Sequence, residues 1–215
     1  MADKTKKVAV AVIHGMGDQK ADFAKPFINA IQARCKGVCG DDIVIEPVYW
    51  ANKMRDDENR LFKRMSAGGP LRYIFARRLM INYVADALAY QPTNHDRNAY
   101  DDIHTSFARA LANLAHDAGG TAPLCIVAHS LGSVIASNYI YDLQKPELIP
   151  HHLKKEMHDT ALEKGETLNL LYTLGSPLAL WSLRFSNFGH PISIPVPQLE
   201  KHHPHLKSAW INYYD

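Results

Sequence analysis

The sequence has no uncharged apolar run near the ~20 residues that a membrane-spanning helix needs, so no transmembrane segment is expected. Its amino-terminal apolar run, Val8–Ile13, follows Lys4, Lys6 and Lys7 in the manner of a signal peptide. That run is shorter than the roughly 7–15 residues of a signal core, and it opens into a turn rather than a small-residue cleavage site. It reads as a strand. Cysteine is scarce: there are three, Cys35, Cys39 and Cys125, an odd number at no disulfide-framework spacing. A disulfide-stapled secreted scaffold is thereby excluded. Free thiols in a reducing cytoplasm are expected, a Cys35–Cys39 bridge beside Gly37 and Gly40 being the alternative in an oxidising compartment, with Cys125 a small core residue inside a strand. A dominant charge is lacking too, since 24 Lys+Arg against 22 Asp+Glu leave a net charge of +2. With no arginine-rich arm and no zinc-finger spacing, nothing points to a nucleic-acid partner.

What is present is ordinary for one globular domain over residues 1–215: 47% of the chain is apolar and 21% charged. A chain of this length buries roughly 70% of its unfolded surface. Twelve histidines stand out, with clusters at His151-His152 and His202-His203-Pro204-His205. Neither cluster has helical i, i+4 spacing or carboxylates at ligand distance, so no metal and no cofactor are expected.

Strand and helix patterns alternate. Apolar strand runs occupy Val8–Ile13 and residues 43–49, 124–128, 168–174 and 210–214. Helical spacing runs through 21–35 (Phe23, Phe27, Ile28, Ile31), 100–118 (Ile103, Phe107, Leu111, Leu114) and 134–143. This alternation predicts an α/β fold, a mostly parallel sheet with helices on both faces. Residues 51–98 are an insertion that such a fold does not need. They are charge-rich over 51–64, broken at Gly68-Gly69-Pro70, then helical and amphipathic over 71–90. The expectation is a helical cap at the active-site mouth, with peripheral contact to a lipid surface as a weaker second reading.

The segment Ile126-Val127-Ala128-His129-Ser130-Leu131-Gly132 carries the chemistry. It is an apolar run, then a serine flanked two residues away by small Ala128 and Gly132, then a helical pattern. A nucleophile elbow needs that arrangement, because its serine stands on a sharp turn where backbones pass closely. His129 is expected to point away from Ser130 into the fold and not to act as the base. Far upstream, His14-Gly15-Met16-Gly17 ends another strand run in a glycine-flanked turn. An acyl-transfer site needs two backbone N–H donors for the developing oxyanion, one from the residue after the nucleophile and one from a neighbouring loop. Leu131 and Met16 fill those places.

With both motifs in hand, the chain resembles the α/β-hydrolase fold, in particular its lipase-like and esterase-like serine hydrolases. Its elbow has Ala128 where that family has glycine. The resemblance implies a Ser–acid–His order along the chain. The acid should follow the strand at 210–214, which makes Asp215 its candidate. The histidine should come after one further strand, and none follows, so its identity is open. A histidine from 184–207 (His190, His202, His203 or His205) would break the family's chain order. The strand pattern ending at Asp215 is read as a fragment from which the C-terminal part of the fold is missing. The function implied is hydrolysis of a small-molecule or lipid-like carboxylic ester through an acyl-enzyme. The alternatives are a non-catalytic binding protein on the same fold, and a thioesterase or acyltransferase.

Overall fold

The computed structural model describes residues 7–17, 19–35, 39, 42–53, 60, 63, 64, 67, 90, 98–181 and 192–214. Five strands, β1 (Val8–Ile13), β2 (Ile43–Val48), β3 (Leu124–His129), β4 (Leu168–Leu174) and β5 (Ala209–Tyr213), form one sheet in the order β2-β1-β3-β4-β5. Every pairing is parallel. The fold is therefore of the α/β class. Strands β1 and β3 lie inside the sheet and are apolar on both faces, as parallel strands covered on both sides must be. Pro47, which has no N–H to give a ladder, sits in β2 at one edge, where proline is tolerated. At the other edge β5 leaves Trp210 and Tyr213 exposed.

The helices are α1 (Lys25–Cys35), α2 (Asn98–Ala118), α3 (Leu131–Gln144), α4 (His151–Glu156), α5 (Leu178–Trp181) and α6 (Leu199–His202). Side chains alternate across each strand, and the two faces bury different sets. Ala9, Ala11, Ile13, Leu124, Ile126 and Ala128 join Phe107, Leu111 and Leu114 of α2 and Val134, Ile135 and Tyr139 of α3 in the main core. Val10, Val12 and Cys125 face the other way, against Phe23 and Ala24 of the turn before α1 and Phe27 and Ile28 near its start.

Three expectations need correction or limitation here. Helical spacing suggested a helix from residue 21, but residues 21–24 form a turn and α1 starts at Lys25. Pro26 explains this: its ring and missing N–H are accepted only in a helix's first turn. Cys35 and Cys39 are not free thiols but a disulfide, with their Cα atoms 4.8 Å apart. The end of α1 brings the pair together, since the Cys39 N–H donates to the Cys35 carbonyl at 3.0 Å and places i and i+4 on one side of a turn. The helical cap expected over 71–90 lies outside the described residues apart from Tyr90, which is a buried turn residue. Among the described residues no helix is long and apolar enough to cross a membrane.

Tyr90 is tied into the core by polar contacts. Its hydroxyl meets His104 Nε2 at 2.9 Å and accepts from Asn138 Nδ2 at 3.3 Å. Asp142 Oδ2 in turn accepts from the Tyr100 hydroxyl at 2.9 Å and lies 3.3 Å from His104 Nδ1. Burial, the largest cause, pushes the Tyr90 hydroxyl well above its ordinary pKa. Buried polar groups persist when they are mutually satisfied in this way.

Candidate active site

Ser130 stands between the last residue of β3 and the first of α3, at φ 50° and ψ −126°. Among the described residues it is the only non-glycine with positive φ. Such a conformation costs on the order of 1–3 kcal/mol and survives only where the surroundings over-determine it. Its position is that of a helix N-cap, where a serine hydroxyl ordinarily accepts from an N–H of the first turn. Here the Ser130 side chain makes no capping bond. The elbow is fixed by its backbone instead: the Ser130 N–H donates to the Leu174 carbonyl at 2.9 Å, and the Ser130 carbonyl accepts from the Ser133 N–H at 2.9 Å and from Ser133 Oγ at 2.6 Å.

The turn after β1 is pressed against this elbow. A Cβ added at Gly132 would lie 2.4 Å from the His14 carbonyl oxygen. One added at Gly15 would lie 2.7 Å from Ser130 Cβ and 3.0 Å from His129 Nδ1. Both glycines are required by close approach. The partner of Gly132 is the β1 turn rather than its own strand, so the two motifs read separately in the sequence are halves of one contact.

His14 anchors the turn. Its Nε2 accepts from the Trp50 N–H at 3.2 Å, which leaves Nδ1 as the protonated nitrogen donating to the Gly15 carbonyl at 2.7 Å. Trp50 Nε1 donates to the His14 carbonyl at 3.1 Å, and the two rings stack at 4.8 Å. Burial drives the His14 pKa down to about 4, opposed by the bond to Gly15 and assisted by nearby His129. His14 is thus a neutral structural residue with no lone pair left for Ser130. Among the turn and loop hydrogen bonds of the described residues, neither the Met16 nor the Leu131 N–H is a donor. Leu131 opens α3, whose first amides are orphaned by helix geometry and carry the positive end of its dipole.

The acid candidate Asp215 and the histidine candidate His190 lie outside the described residues. His202 and His203 sit at the wrong end of the sheet to reach Ser130. His202 Nε2 meets Glu166 Oε2 at 3.0 Å just before β4, and His203 Nε2 meets the Thr121 carbonyl at 2.7 Å just before β3. His205 follows them on the approach to β5 and is exposed. His129 does not point into the fold: it is exposed, on the α1 face of β3. The alternation of β3 dictates this, because Ile126 and Ala128 face the main core, which sends Val127 and His129 to the other side.

Two features escaped sequence reasoning. One is a hydroxyl relay behind the elbow: the Leu178 N–H donates to Ser176 Oγ at 3.3 Å, and Ser176 Oγ lies 2.6 Å from buried Ser133 Oγ. Since the Ser133 hydrogen goes to the Ser130 carbonyl, Ser176 is the donor in that pair. Residues 43 positions apart leave no local pattern from which such a pair could be read. The other is a cavity of about 300 Å³ at the carboxyl ends of β1, β3 and β4, with Gly15 and His129 in its wall. A larger cavity of about 570 Å³ lies among Leu143, Met157 and Val196, past the far end of α3 from Ser130. No protein-family model, curated protein or solved structure matches the chain.

Proposed function

We propose that this protein is a serine hydrolase of α/β-hydrolase type that cleaves carboxylic esters through an acyl-enzyme on Ser130. One observation carries the reading: Ser130 holds a strained positive φ at a helix N-cap and its hydroxyl forms no capping bond. A serine retained for the cap alone would adopt the extended backbone and bond the first turn. In the proposed reaction Ser130 Oγ attacks the ester carbonyl carbon and its proton passes to a general base. The carbonyl oxygen becomes an oxyanion received by the Met16 and Leu131 N–H groups, and collapse expels the alcohol. Water then attacks the acyl-enzyme, releasing the carboxylic acid and restoring the Ser130 hydroxyl. Met16 and Leu131 suit this role because their amides donate to no turn or loop partner among the described residues and the turn carrying Met16 touches the elbow. The base is not assigned.

The test is turnover of p-nitrophenyl esters by the full chain and by Ser130→Ala. Hydrolysis should fall by about 10⁴-fold or more in the variant, as loss of a catalytic serine does elsewhere. Hydrolysis unchanged by the substitution would overturn the assignment. No hydrolysis in either protein, with an ester analogue still bound, would favour the non-catalytic binding protein. Faster turnover of matched acyl thioesters than of oxygen esters would mark a thioesterase.

A further inference from the structure

The cavity of about 300 Å³ beside the elbow is mostly apolar, with His14, Gln19 and His129 as its polar lining residues. Val12, Val127 and Leu174 of the sheet form one side, and Phe23 and Ala24 of the turn before α1 with Phe27 in its first turn form the other. Three features join it to the elbow. Gly15 lines it and abuts Ser130 Cβ, His129 lines it and precedes Ser130 in the chain, and Leu174 lines it and takes the Ser130 N–H on its carbonyl. The face continues apolar beyond the cavity, through half-buried Leu170 and Tyr172 of β4. A site of this kind, a concave apolar wall reached from one point of polar chemistry, fits an unbranched aliphatic chain whose only polar group is at its end.

We propose that this groove binds the hydrocarbon chain of the ester that Ser130 attacks, an inference that rests on Ser130 being the nucleophile. The chain runs from the elbow between α1 and the ends of β1, β3 and β4. Val127 of β3 and Phe27 of α1 both line the groove and set the length it accepts.

Two substrate series on the full chain test this and separate the two ends of the ester. In one, p-nitrophenyl esters vary in acyl length from acetyl to dodecanoyl; in the other, acetate esters vary in the length of the alkyl alcohol. In one series kcat/KM should climb by about threefold to fourfold per methylene over the first few carbons, the value of burying each group, and then level off. The series that climbs identifies the chain as acyl or alkyl. In that series Val127→Phe, which fills the groove, should lower the ratio of eight-carbon to two-carbon substrate by about tenfold or more. Phe27→Ala, which widens it, should move the plateau to longer chains. Each ratio is taken within one protein, so a general loss of activity does not enter it. A flat length profile in both series, with ester turnover still dependent on Ser130, overturns the groove and leaves the nucleophile standing. So does a climbing profile that neither variant moves. Ester turnover indifferent to Ser130→Ala removes the nucleophile reading itself, and this inference with it.

Discussion

At the scale of single residues, two glycines and a histidine decide whether the elbow can form. An alanine at Gly132 would bring its Cβ to 2.4 Å from a backbone carbonyl that cannot swing away, unlike a flexible side chain. Gly132→Ala should therefore destabilise the fold by about 1–3 kcal/mol, the usual cost of overpacking, read as a lower urea midpoint. An unchanged midpoint would show that the β1 turn and α3 are not in contact. His14 gives a pH signature. Its pKa is held at about 4 in the fold against an ordinary 6.5 for histidine, so between those values the unfolded chain binds the extra proton. Stability is then full above about pH 6.5 and falls as pH drops through the window, by about 2 kcal/mol from pH 7 to pH 5 for this group alone. His14→Gln should flatten that part of the profile in denaturant titrations. An identical slope in the variant would mean that His14 is not the buried neutral histidine described here.

Among the elements, the junction of β3 and α3 depends on a neighbour that the chain reaches much later. The turn after β4 delivers Ser176 to Ser133, and Ser133 holds the Ser130 carbonyl. Ser133→Ala leaves Ser176 short of an acceptor and should cost about 1–2 kcal/mol. Ser176→Ala should cost less once Ser133 is already alanine, a coupling that a double-mutant cycle in urea measures. Strictly additive losses would sever the relay. The elements themselves were largely legible. Val8–Ile13 and Leu168–Leu174 keep the bounds their apolar runs suggest, β2 and β3 shift by one residue at an end, and β5 shifts by one residue at both ends. The start of α1 was misread because apolar spacing continues through residues 21–24, whereas the position of Pro26 sets the first turn. The side on which His129 emerges was also misread, although the alternation of β3 contains it. The Cys35–Cys39 bridge was ranked below free thiols because the cysteines were weighed by number and compartment and not by where a helix end places them.

For the molecule as a whole, the parallel sheet brings the carboxyl ends of β1 and β3 side by side, and open α/β sheets bind ligands at that end. The pairing of Ile13 with Ala128 sets the His14–Gly17 turn beside Ser130 across the long intervening sequence. Both motifs were readable separately because each must satisfy a local backbone demand. Their meeting follows from the need for two oxyanion donors, whereas the atoms that touch, Gly132 against the His14 carbonyl and Gly15 against Ser130, depend on sheet order and were not readable. The groove was hidden for a related reason: its two sides come from α1 and from the ends of three strands, and no single segment displays it. The central claim, that Ser130 is an activated nucleophile, is tested most directly by exposing the folded full chain to a fluorophosphonate probe and locating the adduct by peptide mass spectrometry. The account predicts one adduct, on Ser130, absent from Ser130→Ala and from chain unfolded in urea. An adduct on another residue, or one that survives the substitution, would contradict it.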